Sequence, residues 1–127
     1  MIKEALFKDK FVTIVTDKGI SRNIDLGYPV YKLLKIDKYV VVLLNGYYLH
    51  ETEYHNRNII CLDEEGKLVW RVSNPDLKSL SKARTPHAFT GISLKEEDKI
   101  EAFTADCFLV DIDIHTGAFV SDWTFTK

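Results

Sequence analysis

The chain has 127 residues, 46% of them hydrophobic, and a formal net charge of −2 from 17 Lys and Arg against 19 Asp and Glu, which is enough for one core and too little for two domains. Val, Ile and Thr together number 30, whereas Ala and Met number only 7, a bias toward pleated structure that excludes a helical bundle. A normal aliphatic content, three Pro and six Gly exclude disordered and collagen-like chains.

Charges at Lys3, Glu4, Lys8, Asp9 and Lys10 interrupt the first ten residues, so they cannot supply a secretory apolar region. The longest apolar run, Tyr39 to Leu44, is far shorter than the roughly 20 residues of a membrane-spanning helix. Cys61 and Cys107 lie in apolar, strand-like segments and are expected to be buried, reduced thiols. A cytoplasmic location is expected.

In chain order, Phe11 to Thr16 and Ile20 to Ile24 flank Asp17-Lys18-Gly19, the pattern of a hairpin. Val30 to Ile36 and Tyr39 to Leu44 flank Asp37-Lys38 and predict a second. Tyr39 to Leu44 shows no polar alternation, so it should be a central strand covered on both faces. Asn58 to Leu62 and Lys67 to Val72 form a third pair around Asp63-Glu64-Glu65-Gly66, with Gly66 available for a positive φ. Ser73 can cap a short helix near 74–84, with Pro75 early in it and Leu77 and Leu80 on one face. Phe89 to Leu94, Ile100 to Thr104, Cys107 to Ile114 and Ala118 to Phe125 complete the strands. Trp70 and Trp123 should be core residues, with Phe119, Trp123 and Phe125 on one face of the last strand. The expected fold is all-β, one domain over 1–127, an antiparallel sandwich or curled sheet of about 8–10 strands with that single helix.

Asn58 to Trp70 resembles the strand, acidic turn, Gly, strand, Trp unit of quinoprotein-type propeller repeats, and Val110 to Val120 is similar. A propeller needs at least about four blades of roughly 40–50 residues. A single chain of this length cannot supply them, so propeller-like hairpins within a sandwich are expected.

Candidate chemistry is sparse. His50, Glu51, Glu53 and His55 form the densest set of metal-ligand types, and on a strand Glu51, Glu53 and His55 would share a face. No completing ligand stands at a recognised spacing, and a polar loop explains the set equally well, so no metal and no cofactor are expected. Arg84, His87 and His115 could be assembled into an acid–base pair with a phosphate-binding cation. The spacing does not require it, His115 falls in a turn, and there is no nucleophile elbow, P-loop or dinucleotide fingerprint. The chain is therefore read as no enzyme. A small enzyme or a ligand- or metal-binding domain using the region from His50 to His55 is the alternative.

All six tyrosines fall within residues 28–54, near Lys32, Lys35 and Lys38. Nucleic-acid stacking is one reading of aromatics among cations. The negative net charge and the fitness of Tyr for strands favour packing for most of them. Tyr47 and Tyr48 follow Asn45-Gly46, and a turn there would expose an aromatic pair suited to anchoring a partner. From Glu96 to Asp122 eight acids face Lys99 alone. The period of two puts Asp111 and Asp113 on one strand face and Val110, Ile112 and Ile114 on the other. A solvated edge explains such a face. So does capture of a basic partner, through Glu96, Glu97, Asp98, Glu101, Asp111 and Asp113, with Glu51, Glu53, Tyr47 and Tyr48 alongside.

Tyr28-Pro29-Val30-Tyr31-Lys32, Lys38 to Leu44, Asn58 to Trp70, Phe89-Thr90-Gly91-Ile92 and Asp113 to Gly117 together resemble small bacterial β-proteins, some of them immunity partners of secreted toxins. The resemblance implies an immunity protein of the contact-dependent growth inhibition type: cytoplasmic, non-enzymatic, and bound to a cognate toxin domain whose active site it covers. It implies no direct contact with nucleic acid or membrane, and a basic toxin, such as a nuclease, as partner. The interface of such proteins varies with the toxin, so the residues named above come from charge and exposure alone.

Overall fold

The structure, a computed structural model, describes residues 1–49, 56–73, 88–105 and 107–125. Eleven strands form three antiparallel sheets among these residues. The first sheet contains β1 (Ile2–Lys8), β2 (Phe11–Thr16) and β3 (Ser21–Asp25), in that order. The middle sheet runs β4 (Val30–Ile36), β5 (Tyr39–Leu44), β6 (Ile59–Leu62) and β7 (Leu68–Arg71). The third runs β8 (Phe89–Glu96), β9 (Lys99–Thr104), β10 (Phe108–Asp113) and β11 (Thr124–Phe125). The all-β antiparallel expectation holds. The helix expected near 74–84 lies outside the described residues, as do Arg84 and His87.

The middle sheet is apolar on both faces because it is covered on both. Val40, Val42, Leu44, Ile60 and Leu62 pack with Val12 and Ile14 of the first sheet. Val41, Leu43, Ile59, Cys61 and Trp70 pack with Ile92, Ile100, Ala102, Val110 and Ile112 of the third. The period of two sorts alternate residues of one strand into two cores, so Tyr39 to Leu44 reads as an unbroken apolar run.

Polar links fix how the sheets meet. Asp9 and Asp37 adopt left-handed φ of 54° and 51° in their turns, a conformation Asp tolerates. Their carbonyls accept hydrogen bonds from Val30 N (2.8 Å) and Ile2 N (3.0 Å), tying β1 and β4 together at both ends. From β4, Lys35 Nζ donates to the Lys3 carbonyl at 3.0 Å and Lys32 Nζ donates to the Ile92 carbonyl at 2.9 Å, so one strand reaches both neighbouring sheets. Asn58 is fully buried. Its Nδ2 donates to the carbonyls of Leu44 and Phe89, both at 2.8 Å, and its Oδ1 accepts from Phe89 N at 2.9 Å.

Three features depart from the sequence expectations. β1 was not expected, since its charged residues hide the alternation, and six of its seven residues are only partly buried or exposed. Ala118 to Phe125 is not one strand: Phe119 makes an isolated bridge to Ile112 and only Thr124–Phe125 pairs with β10. Phe119 and Trp123 meet edge-on at 5.0 Å and pack on the core, but Phe125 is exposed, so the three do not share one buried face. Cys107 sits half-buried in a turn with φ of 71° rather than inside a strand. Trp70 is a core residue as expected, with its Nε1 donating to the Ile114 carbonyl at 2.6 Å.

Replacing Asn58 by Leu strands the Phe89 N–H and two carbonyls in the core, and is expected to cost about 3 kcal/mol in urea unfolding. Burial, helped by nearby Asp63, pushes the Cys61 thiol up to about 12. The native state then keeps a proton that the unfolded state loses above the ordinary thiol value of 9.0. Stability should fall as pH rises from there toward 12, by up to about 1.4 kcal/mol per unit. Unfolding at a series of alkaline pH values should show this slope in the wild type and a shallower one in Cys61→Ala.

Candidate acidic turn surface

A meander sends alternate turns to the same end of its strands, and here that geometry sorts charge. The turns β2–β3, β4–β5, β6–β7 and β8–β9 and the connection after β10 share one end, where Ile114 N donates to the Asp98 carbonyl at 2.9 Å. A groove of about 690 Å³ there is lined by residues of three of these turns, Asp17, Lys38 and Glu64 among them. A second, of about 380 Å³, joins Asp37, Glu64, Glu97 and His115. Across the four turns and the connection stand Asp17, Asp37, Asp63, Glu64, Glu65, Glu97 and Asp98 against Lys18, Lys38 and Lys67. The opposite end carries Asp9, Lys10 and Arg57 in its described connections. Among the described residues, the turn carboxylates thus gather at one end of the strands.

The turns are held by their own side chains. Asp63 Oδ1 accepts from Glu65 N at 2.8 Å and Lys67 N at 3.0 Å. Asp113 Oδ1 accepts from His115 N at 2.7 Å. His115 is exposed, with its ring edge-on to Tyr39 at 5.9 Å, while Lys38 Nζ lies 5.6 Å from the centre of the same Tyr39 ring.

The acids named from the sequence fall into two groups. Glu96, Glu97 and Asp98 are exposed at the turn end. Glu101 and Asp111 pair across β9 and β10 on the outer face of the third sheet, and Lys95 lies between them, 2.9 Å from Asp111 and 3.9 Å from Glu101. The hydrogen bond to Asp111 raises the Lys95 ammonium above its ordinary 10.5. Lys99 is 3.7 Å from Glu96, and Asp113 is engaged in its turn. The outer strand face is thus partly neutralised, chiefly by a lysine one residue upstream of the acidic stretch. Of the turn acids, Glu97 and Asp98 make no ion pair among the described residues, whereas Asp17 and Glu64 lie 3.3 Å and 2.7 Å from Met1 N and Glu65 lies 3.1 Å from Lys67. Asp17, Asp37 and the Asp63 to Glu65 turn belong to the same surface and were not singled out from sequence.

Tyr47 and Tyr48 lie elsewhere. They occupy a short 3-10 turn (Gly46–Leu49) after β5, are 75% and 54% exposed, and contact each other edge-on at 5.3 Å. Tyr31 is also exposed, contrary to the packing expected of the strand tyrosines. Tyr31 and Tyr47 line an apolar groove of about 400 Å³ with Leu44, Ala88 and Phe89. This groove adjoins the start of β8, whereas Glu96 to Asp98 stand at its finish, eight residues and so roughly 25 Å away. The tyrosine pair and the acids therefore do not form one patch. Glu51 and Glu53, with His50 and His55, lie outside the described residues. Among the described residues, no three His, Cys, Asp or Glu are grouped to hold a metal ion, and no helix is long and apolar enough to cross a membrane.

The fold and surface define an all-β domain built from successive antiparallel sheets whose turns gather at a charged end. The chain belongs to a family described as a domain of unknown function (DUF7957), whose model matches residues 9–123. Comparison with functionally characterised proteins finds no sequence match. The fold is similar to that of BamB from Moraxella catarrhalis, at a TM-score of 0.58 and 17% identity over 89% of this chain and 31% of that one. It is also similar to the computationally designed Ika8 protein (TM-score 0.55, 14% identity, 99% of this chain and 37% of that one). The designed Ika4 protein matches at 0.53 and 15% identity, over 96% of this chain and 71% of that one. The chain thus spans about a third of the length of the first two.

Replacing Asp111 by Asn should lower the Lys95 pKa toward the ordinary lysine value, as read by NMR titration of its side chain. The sign follows from the raised native value: the stability due to the pair is complete below 10.5 and fades as pH climbs past it.

Proposed function

We propose that this domain is a non-catalytic binding protein of the bacterial immunity kind, which captures a basic toxin domain at its acidic turn end and covers the toxin's active site. The observation that most supports this reading is the gathering, among the described residues, of seven turn acids at one end, against three lysines and the Met1 ammonium. Turn carboxylates on a rigid sheet framework produce a directed field that accelerates encounter with a cationic surface and fixes its orientation. A nuclease fits the role, because the surface that binds its polyanionic substrate must be basic. The resemblance of the hairpin segments to toxin-immunity proteins supports the same reading and a cytoplasmic site of action. The outer strand acids Glu101 and Asp111 contribute less, since Lys95 already lies between them.

The test is co-expression with the toxin domain encoded beside the gene, together with association kinetics for the purified pair. Glu97→Lys combined with Asp98→Lys should protect cells less than the wild type and slow association about tenfold at low salt, with the difference shrinking as salt screens the field. Both residues are exposed, so the variant should keep the wild-type melting temperature. Undiminished protection together with unchanged association rates would refute the proposed surface.

A further inference from the structure

One packing device is used twice inside the chain and prepared a third time. In the middle sheet Gly66 closes the β6–β7 turn with φ of 79°, and a Cβ there would sit 2.6 Å from Ile24 on the outer strand of the first sheet. In the third sheet Gly117 closes the turn after β10 with φ of 74°, and its Cβ would sit 2.5 Å from the Trp70 ring on the outer strand of the middle sheet. Each sheet thus seats the glycine of its outer turn on the outer strand of the sheet before it. The β2–β3 turn has the same construction. Thr16 N donates to the Ile20 carbonyl, Gly19 N to the Thr16 carbonyl and Ile20 N to Thr16 Oγ1. In the middle sheet Asp63 N, Gly66 N and Lys67 N make the corresponding bonds to Lys67, Asp63 and the Asp63 carboxylate. Gly19 has φ of 80° and nothing within 4 Å of its would-be Cβ.

The matching recipient is also unused. On the third sheet Val120, which stands opposite Asp111 on the face turned away from the middle sheet, is 45% exposed, whereas Ile24 and Trp70 on the outer strands of the first and middle sheets are packed against the sheet that follows. The far face of the first sheet exposes Leu6 and Phe11, and the far face of the third exposes Phe103, whose ring lies over Gly91. Among the described residues neither far face has a core of its own, since both apolar clusters involve the middle sheet.

We infer that a second copy of this chain completes the array, its first sheet packing on the third sheet of its partner and the reverse contact closing the ring. Radial sheet arrays close with about four to eight sheets. The three sheets found among the described residues, taken from each of two copies, fall within that range. Continuity with the internal interfaces selects this occupant: the contact that first joins middle, and middle joins third, is repeated between copies. The far faces mix polar and apolar residues, as in interfaces between separately stable partners. The acidic turn end stays on the open rim of such a ring, so this inference does not depend on the proposed toxin binding.

Light scattering on the whole chain at about 100 µM should give about 29 kDa, twice the 14.6 kDa chain mass. Leu6→Asp and Phe103→Asp, at exposed sites on the two far faces, should each shift the protein to monomer with an unchanged circular dichroism spectrum. Mixing the two should restore some dimer, because each retains the face the other lacks. A wild type that stays monomeric at that concentration would overturn the inference, as would larger open assemblies. So would a dimer indifferent to both substitutions.

Discussion

A single buried amide sets the order of the sheets. Asn58 sits where β5 has ended, β6 is about to begin and β8 starts, and it satisfies backbone groups from both flanking segments. In an apolar interior those groups have no water to turn to, so each arrangement of the third sheet other than this one leaves at least one of them unpaired. Hydrophobic burial alone would let two apolar sheets slide and rotate over each other at little cost. The directional bonds of Asn58, and of Lys32 and Lys35 from β4, convert a greasy contact into a fixed one. Leu44, held by its carbonyl to Asn58, then carries the Asn45 to Leu49 turn, and Phe89 places the first residue of β8.

Much of this was legible in the residues, where local chemistry and tertiary context agree. β4 and β5 are found at the limits the sequence suggested: β5 is covered on both faces and so apolar throughout, and the polar Asp37-Lys38 turn marks where β4 stops and β5 starts. β1 was hidden by the opposite circumstance. Only Ile2 of its seven residues is buried, so its charged side chains read as a solvated terminus. The segment after Gly117 misled in a third way. Phe119 and Trp123 pack as a strand's inner residues would, yet only a bridge at Phe119 and the pair at Thr124–Phe125 are hydrogen-bonded to β10. Apolar spacing reports which side chains are buried and not which backbone groups pair.

The candidate surface was only half readable for a different reason. Linear charge density singled out the segment from Glu96 onward, but charge acts through space. Asp17, Asp37 and the Asp63 to Glu65 turn join Glu97 and Asp98 because successive turns of a meander alternate between two ends. Parity of turn order would have predicted that grouping from the hairpins alone. The same linear count overlooked Lys95, which cross-strand pairing of Glu101 with Asp111 brings between two carboxylates. Neither sequence distance nor net charge distinguishes a carboxylate already engaged from one facing water.

Rigidity links the fold to any recognition at this end. A binding surface made of flexible loops must order them on contact, and that loss of freedom offsets part of the interaction. Here the turns are short, their glycines supply the left-handed residue, and Thr16, Asp63 and Asp113 bond the turn amides with their own side chains. The carboxylates that remain exposed are therefore displayed from backbone already fixed before a partner arrives. The cost is that Asp63 and Asp113 spend their charge on holding the turn rather than on a ligand. A residue that is acidic, half-exposed and in the right place can thus serve the shape of a surface without belonging to its chemistry, and the neighbours it positions differ in what they meet: Glu64 lies 2.7 Å from Met1 N and Glu65 3.1 Å from Lys67, while in the other turn His115 is exposed beside Tyr39.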